Sequence, residues 1–149
     1  MPKNVIMMYA RPWLILVLFA TACSNPQQEA ARSGEAGLPD DFLVFYERFH
    51  RDSAFQMERI VWPLEGIPDN AGNRLSDTDF RWQPSTWKMM RPIEASGDRF
   101  EREFLPVSED IIIEKITHRS GDYGLIRRFA VVGEEWHLIY YAGVNPLRK

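Results

Sequence analysis

The last third of the chain constrains the fold most. Leu125–Val132 and Glu135–Ala142 are two strand-like runs, rich in β-branched and aromatic residues, separated by Gly133-Glu134. Glycine at the first loop position suits a two-residue type II′ hairpin. That register sets Val131 against Trp136, Phe129 against Leu138, Arg127 against Tyr140 and Leu125 against Ala142 on one face. The other face carries Ile126, Ala130, His137, Ile139 and Tyr141. The first face holds more large apolar groups and reads as the core. A one-residue slip would exchange the two faces, and the large apolar Trp136 argues against it.

Upstream, Phe42, Phe45, Tyr46 and Phe49 recur at i, i+3, i+4 and i+7, one face of a helix. Asp40 and Asp41 suit its start, and Arg48, His50 and Arg51 its last turn. The aromatic stripe reads as core, with His50 on the solvated side or at the helix end. From Phe55 the pattern changes. Phe55–Leu64 reads as a strand and Glu65–Asp79, with its Gly, Pro, Asn and Asp, as a loop. Phe80–Trp82 is a short strand, Pro84–Trp87 a helical turn, and Phe100–Phe104 and Asp110–His118 are further strands. One helix followed by four to six antiparallel strands gives an α+β domain in which the helix lies across a curved sheet.

The first 22 residues hold Lys3 and Arg11 and no acid, and Trp13–Ala20 is unbroken apolar chain. This is a secretory signal pattern, too short for a spanning helix, which takes about 20 residues. Phe19-Ala20-Thr21-Ala22-Cys23 resembles the lipobox of bacterial lipoproteins. The resemblance implies cleavage between Ala22 and Cys23 and acylation of Cys23, which anchors the chain in the bilayer. Ser24, where Asp would favour the inner membrane, implies the outer membrane. Residues 23–38 read as a flexible tether, too poor in apolar groups to fold, and 39–149 as one α+β domain facing the periplasm.

Losing residues 1–22 takes the net charge from −3 to −5, which speaks against a nucleic-acid partner. Cys23 is the only cysteine, so zinc–thiolate sites and internal disulfides are excluded by counting. His50, His118 and His137 lack metal-ligand spacing, and there is neither a G-x-S-x-G nor a Gly-rich phosphate loop. No cofactor, metal or catalytic residue is assigned.

Asp41–Phe49, then Phe55-Gln56-Met57-Glu58-Arg59-Ile60 and Pro63-Leu64, resemble a family of bacterial lipoproteins of unknown function. The hairpin around Gly133-Glu134-Glu135-Trp136-His137-Leu138 is similar to the closing hairpin of nuclear-transport-factor-2-like and cystatin-like cone folds. The resemblance implies a cone-shaped domain on a lipid anchor, with no activity to carry over.

Arg127 beside Tyr140 on the core face needs a partner or an open mouth. Either it pairs structurally with Glu114 or Glu103, or Arg127 and Tyr140, with Trp87 from the Pro-bounded segment, line a ligand pocket. Ile126, Ile139 and Tyr141 on the opposite face suit a homodimer or an envelope partner. Three functions follow: a non-enzymatic module binding a small ligand or envelope protein; a cone-fold hydrolase, isomerase or dehydratase with its pocket at Arg127 and Tyr140; or a dimeric structural component of the envelope. An acid enclosed beside Arg127 would favour the enzyme.

Overall fold

The computed structural model describes residues 35–72, 79–91 and 99–147. The expected signal segment, Cys23 and most of the expected tether lie outside the described residues. The fold begins before Pro39: Leu38 is buried in the core, and Glu35 pairs with Arg102 at 2.9 Å.

Helix α1 spans Asp40–Arg51 and α2 spans Ser53–Glu58. Six strands follow: β1 Ile60–Ile67, β2 Arg81–Trp82, β3 Phe100–Ser108, β4 Ile111–His118, β5 Tyr123–Val132 and β6 Glu135–Pro146, with a 3-10 turn at Pro84–Thr86. They form one curved sheet in the order β2-β1-β6-β5-β4-β3. The sheet is not wholly antiparallel, since β1 runs parallel to β6. Gly66 makes that approach possible, because a Cβ there would run into the Tyr141 carbonyl.

The expected strand from Phe55 starts only at Ile60. Asp52 stops α1 and caps α2, its carboxylate accepting from the Phe55 amide at 3.0 Å. This second helix turns Phe55 into the core. Arg48 and Arg59 lie over the Phe55 ring at 4.0 and 5.1 Å from its centroid, a favourable placement for cations.

The stripe of α1 packs as its spacing requires. Phe42 meets Phe104, Phe129 and Trp136 edge to face at 5.1–5.8 Å between centroids, the geometry that aromatic quadrupoles favour. The Trp136 indole donates to Asp41 at 3.0 Å. In the hairpin, Gly133 has φ +70°, within the positive range its turn position demands.

The hairpin register changes halfway. Val131↔Trp136 and Phe129↔Leu138 pair as expected, but Arg128 then faces Tyr140 and Arg127 faces Tyr141. Ile139 is the extra residue of a β-bulge. An inserted residue exchanges the two faces of a strand, so from Tyr140 to Ala142 the sides of β6 are reversed, until a second register shift between Ala142 and Asn145.

Candidate functional site

A row of side chains crosses the inner face of the sheet: Phe104 on β3, Glu114 on β4, Arg127 on β5 and Tyr141 on β6. Glu114 is fully buried and Arg127 is 3% exposed. Arg127 Nη1 donates to Glu114 Oε2 at 3.0 Å. The other carboxylate oxygen accepts from the Tyr46 hydroxyl at 2.5 Å. Of the two acids named as partners for Arg127, Glu114 makes the pair. Glu103 is exposed and lies opposite Lys115.

His50 completes the network. It is 3% exposed, not solvated, because position 50 continues the stripe of 42, 46 and 49. Arg127 Nη1 approaches His50 Nε2 at 3.1 Å. A guanidinium only donates, so Nε2 must be the acceptor. The ring proton then sits on Nδ1, which donates to the Tyr46 carbonyl at 2.9 Å. Burial, then the adjacent Arg127 charge, lower the His50 pKa to about 4. The imidazole is neutral at pH 7. Burial, and after it the Glu114 charge, push the Tyr46 phenol far above its ordinary range.

A cleft of about 330 Å³ opens beside this network, lined by Glu35, Leu43, Tyr46, Glu47, His50 and Arg51. Its floor is the Tyr46 and His50 rings, whose centroids are 4.3 Å apart. Their polar atoms are engaged inward, so the floor offers ring surface. Charges stand at the rim, where Arg51 pairs with Glu47 at 2.6 Å and Glu35 with Arg102.

The residues singled out in the sequence divide. Tyr140 does not neighbour Arg127; it lies on the outer face under Arg128, whose guanidinium carbon is 5.1 Å from its ring centroid. Tyr141 takes its place on the inner face and packs on Trp82 and Trp87 at 5.3 and 5.7 Å. Trp87 therefore stands next to Tyr141, with Arg127 as that tyrosine's cross-strand neighbour. Ile126 and Ile139 are half-buried, and Ile126 faces Ala142 on the outer side of the sheet. Tyr141 does not share that side, because the bulge turns it inward. His118 bonds Ser120 and His137 the Glu135 carbonyl.

Two members of the network, Tyr46 and His50, escaped the sequence reading as site residues, and Glu114 entered it only as one of two structural partners for Arg127. Tyr46 and His50 have a signal, the i, i+4 spacing along the stripe. Glu114 has another: it is inward-facing between Ile112 and Ile116 on β4, a charge on an apolar face.

The Phe55-Gln56…Arg59-Ile60…Pro63-Leu64 motif serves the fold. Buried Gln56 makes four hydrogen bonds. Its amide donates to the Phe49 and Met90 carbonyls at 2.7 and 3.1 Å. Its carbonyl accepts from the Met90 amide at 2.8 Å and the Trp87 indole at 3.2 Å. Arg59 forms a two-pronged pair with Glu135, Leu64 is wholly buried, and the Trp62–Pro63 peptide is cis.

No helix among the described residues is long and apolar enough to cross a membrane. No protein-family model matches the chain, and no curated protein matches it. Among solved structures it is similar to a cystatin-like protein from Bacteroides caccae, with TM-score 0.52 and 17% identity over 72% of this chain and 78% of that one. It is also similar to an NTF2-like protein from Bacteroides fragilis, with TM-score 0.48 and 19% identity over 69% of this chain and 46% of that one. At such identities the likeness speaks for the fold only: the chain shares the α+β fold of the cystatin-like protein, a helix laid on a curved sheet.

Proposed function

We propose that the protein is a lipid-anchored, non-enzymatic binding module of the bacterial outer membrane, held by acylated Cys23 and facing the periplasm. The observation that carries the binding role is the α1 cleft. It is concave, has an aromatic floor, and is pre-formed because Tyr46 and His50 are fixed from behind by Glu114 and Arg127. A cleft that sets two aromatic rings and Leu43 among the charged Glu35, Glu47 and Arg51 suits a small ligand with a flat apolar part and a polar edge.

The test has two parts. Cys23→Ser should release the protein from membranes and abolish labelling by fatty-acid precursors. Native mass spectrometry of protein extracted from its own membranes should find a small molecule that is lost from Leu43→Trp, which fills the cleft. Persistent labelling removes the anchor. A protein that carries nothing, or a bound molecule indifferent to Leu43→Trp, removes the cleft as its site.

One observation favours the cone-fold enzyme, whether hydrolase, isomerase or dehydratase: Glu114 is enclosed beside Arg127 and touches Tyr46. The same bonds rank it second. Both carboxylate oxygens are engaged, and Tyr46 holds its proton more tightly than a free phenol. A general base must reach a substrate proton. An activity abolished by Glu114→Gln in a variant that keeps its fold would reverse the ranking.

A further inference from the structure

His50 is the group through which the cleft and the buried ion pair communicate. It lines the cleft on one side and accepts from Arg127 on the other. Its neighbours come from several elements. On α1 they are Tyr46, whose backbone carbonyl accepts from the Nδ1–H, and Glu47 and Arg51 at the cleft rim. Arg127 on β5 and Arg102 on β3 oppose a charge on the ring, and Glu114 on β4 favours it. Glu35, before α1, lines the same cleft.

The present arrangement tolerates only a neutral ring. A second proton would have to sit on Nε2, where Arg127 Nη1 already points its own N–H at 3.1 Å. Two donors and two like charges would then face each other in a space almost closed to water, a costly arrangement. Glu114 cannot relieve it by turning to His50, because its oxygens hold Tyr46 and Arg127. The open side is the cleft.

We propose that His50 is a proton-operated latch: acid drives the imidazolium off Arg127 toward the cleft, loosening the last turn of α1 and uncovering the Arg127–Glu114 pair. The latch rests on the hydrogen-bond pattern of the ring and stands whatever the cleft binds. Because burial and Arg127 lower the pKa of His50 to about 4, against an ordinary 6.5 once it is free, the latched state is at full strength above pH 6.5. It weakens as the pH falls through the window down to about 4. Linkage then favours local opening at pH 4 by on the order of 100-fold over pH 7.5.

Hydrogen exchange of the full chain in detergent tests this, with rates corrected for the intrinsic pH dependence of exchange. Amides of Phe49–Asp52 should lose protection by about that factor between pH 7.5 and 4, while amides of β5 and β6 stay protected. His50→Gln, which keeps an acceptor for Arg127 but takes no proton, should lack the effect. An NMR titration of the wild type needs no variant and should place the His50 ring far below 6.5. Global unfolding without a local step overturns the latch. So does equal opening in His50→Gln, or a His50 ring that titrates near 6.5 with the helix end still protected.

Discussion

Glu114→Gln removes one charge and keeps nearly the same shape. In the native protein Arg127 is 3% exposed and, among the described residues, Glu114 is its single carboxylate contact. The Arg127 Nε has no hydrogen-bond partner among the described residues. The variant can still accept from Tyr46 through the amide oxygen, so the main loss is charge compensation. Stranding a buried charge costs about 3–5 kcal/mol. For a domain of this size each kcal/mol lowers Tm by roughly 3–5 °C, so the drop should be about 10–20 °C. Thermal unfolding followed by near-ultraviolet circular dichroism measures it. Replacing both partners, Glu114→Leu with Arg127→Met, should recover at least half of the loss, because no charge is then stranded. A Glu114→Gln variant within about 1 kcal/mol of wild type would refute the reasoning, since one net hydrogen bond is worth that much. So would a double variant no better than the single.

Three further substitutions probe other parts of the fold. Gln56→Leu leaves the Met90 amide, the Trp87 indole and two carbonyls without their partner, at about 1 kcal/mol or more each; urea unfolding should weaken by roughly 3–5 kcal/mol, with Trp87 emission shifting toward that of exposed indole. Gly66→Ala drives a methyl into the Tyr141 carbonyl and the Trp82 indole, at about 2–3 kcal/mol, and amide exchange should rise first along β1 and β6. If a second copy covers the outer sheet face, Ile126→Glu should turn a dimer into a monomer by sedimentation; a wild type that is monomeric at high concentration removes that contact.

Part of this molecule is legible in one dimension. The α1 stripe, the Gly133 turn and the first pairs of the final hairpin each depend on a short stretch of chain. Periodicity reports which side of an element is apolar, and that side is the core. A resemblance carried by local motifs likewise anticipated the cone. The α2 helix was hidden because Asp52, Phe55 and Met57 serve a capped turn as readily as they begin a strand. Only the cap geometry decided between them.

The site is less legible, for a different reason. Sequence alone established that Arg127 is an inward cation in need of a partner, and it supplied Glu114 among the candidates. Tertiary structure chose Glu114 over Glu103 by the register of β4, and it brought in Tyr46 and His50 from a helix more than 60 residues away. It also exchanged Tyr140 for Tyr141. One bulge residue, Ile139, reversed the faces of β6 over Tyr140–Ala142, and a bulge answers to two neighbouring strands at once: β5 and the parallel strand β1, whose own pairing is irregular at the same level. Alternation along one strand carries no record of that constraint. What a residue is could be read from the chain, but what it faces was settled by the strands beside it.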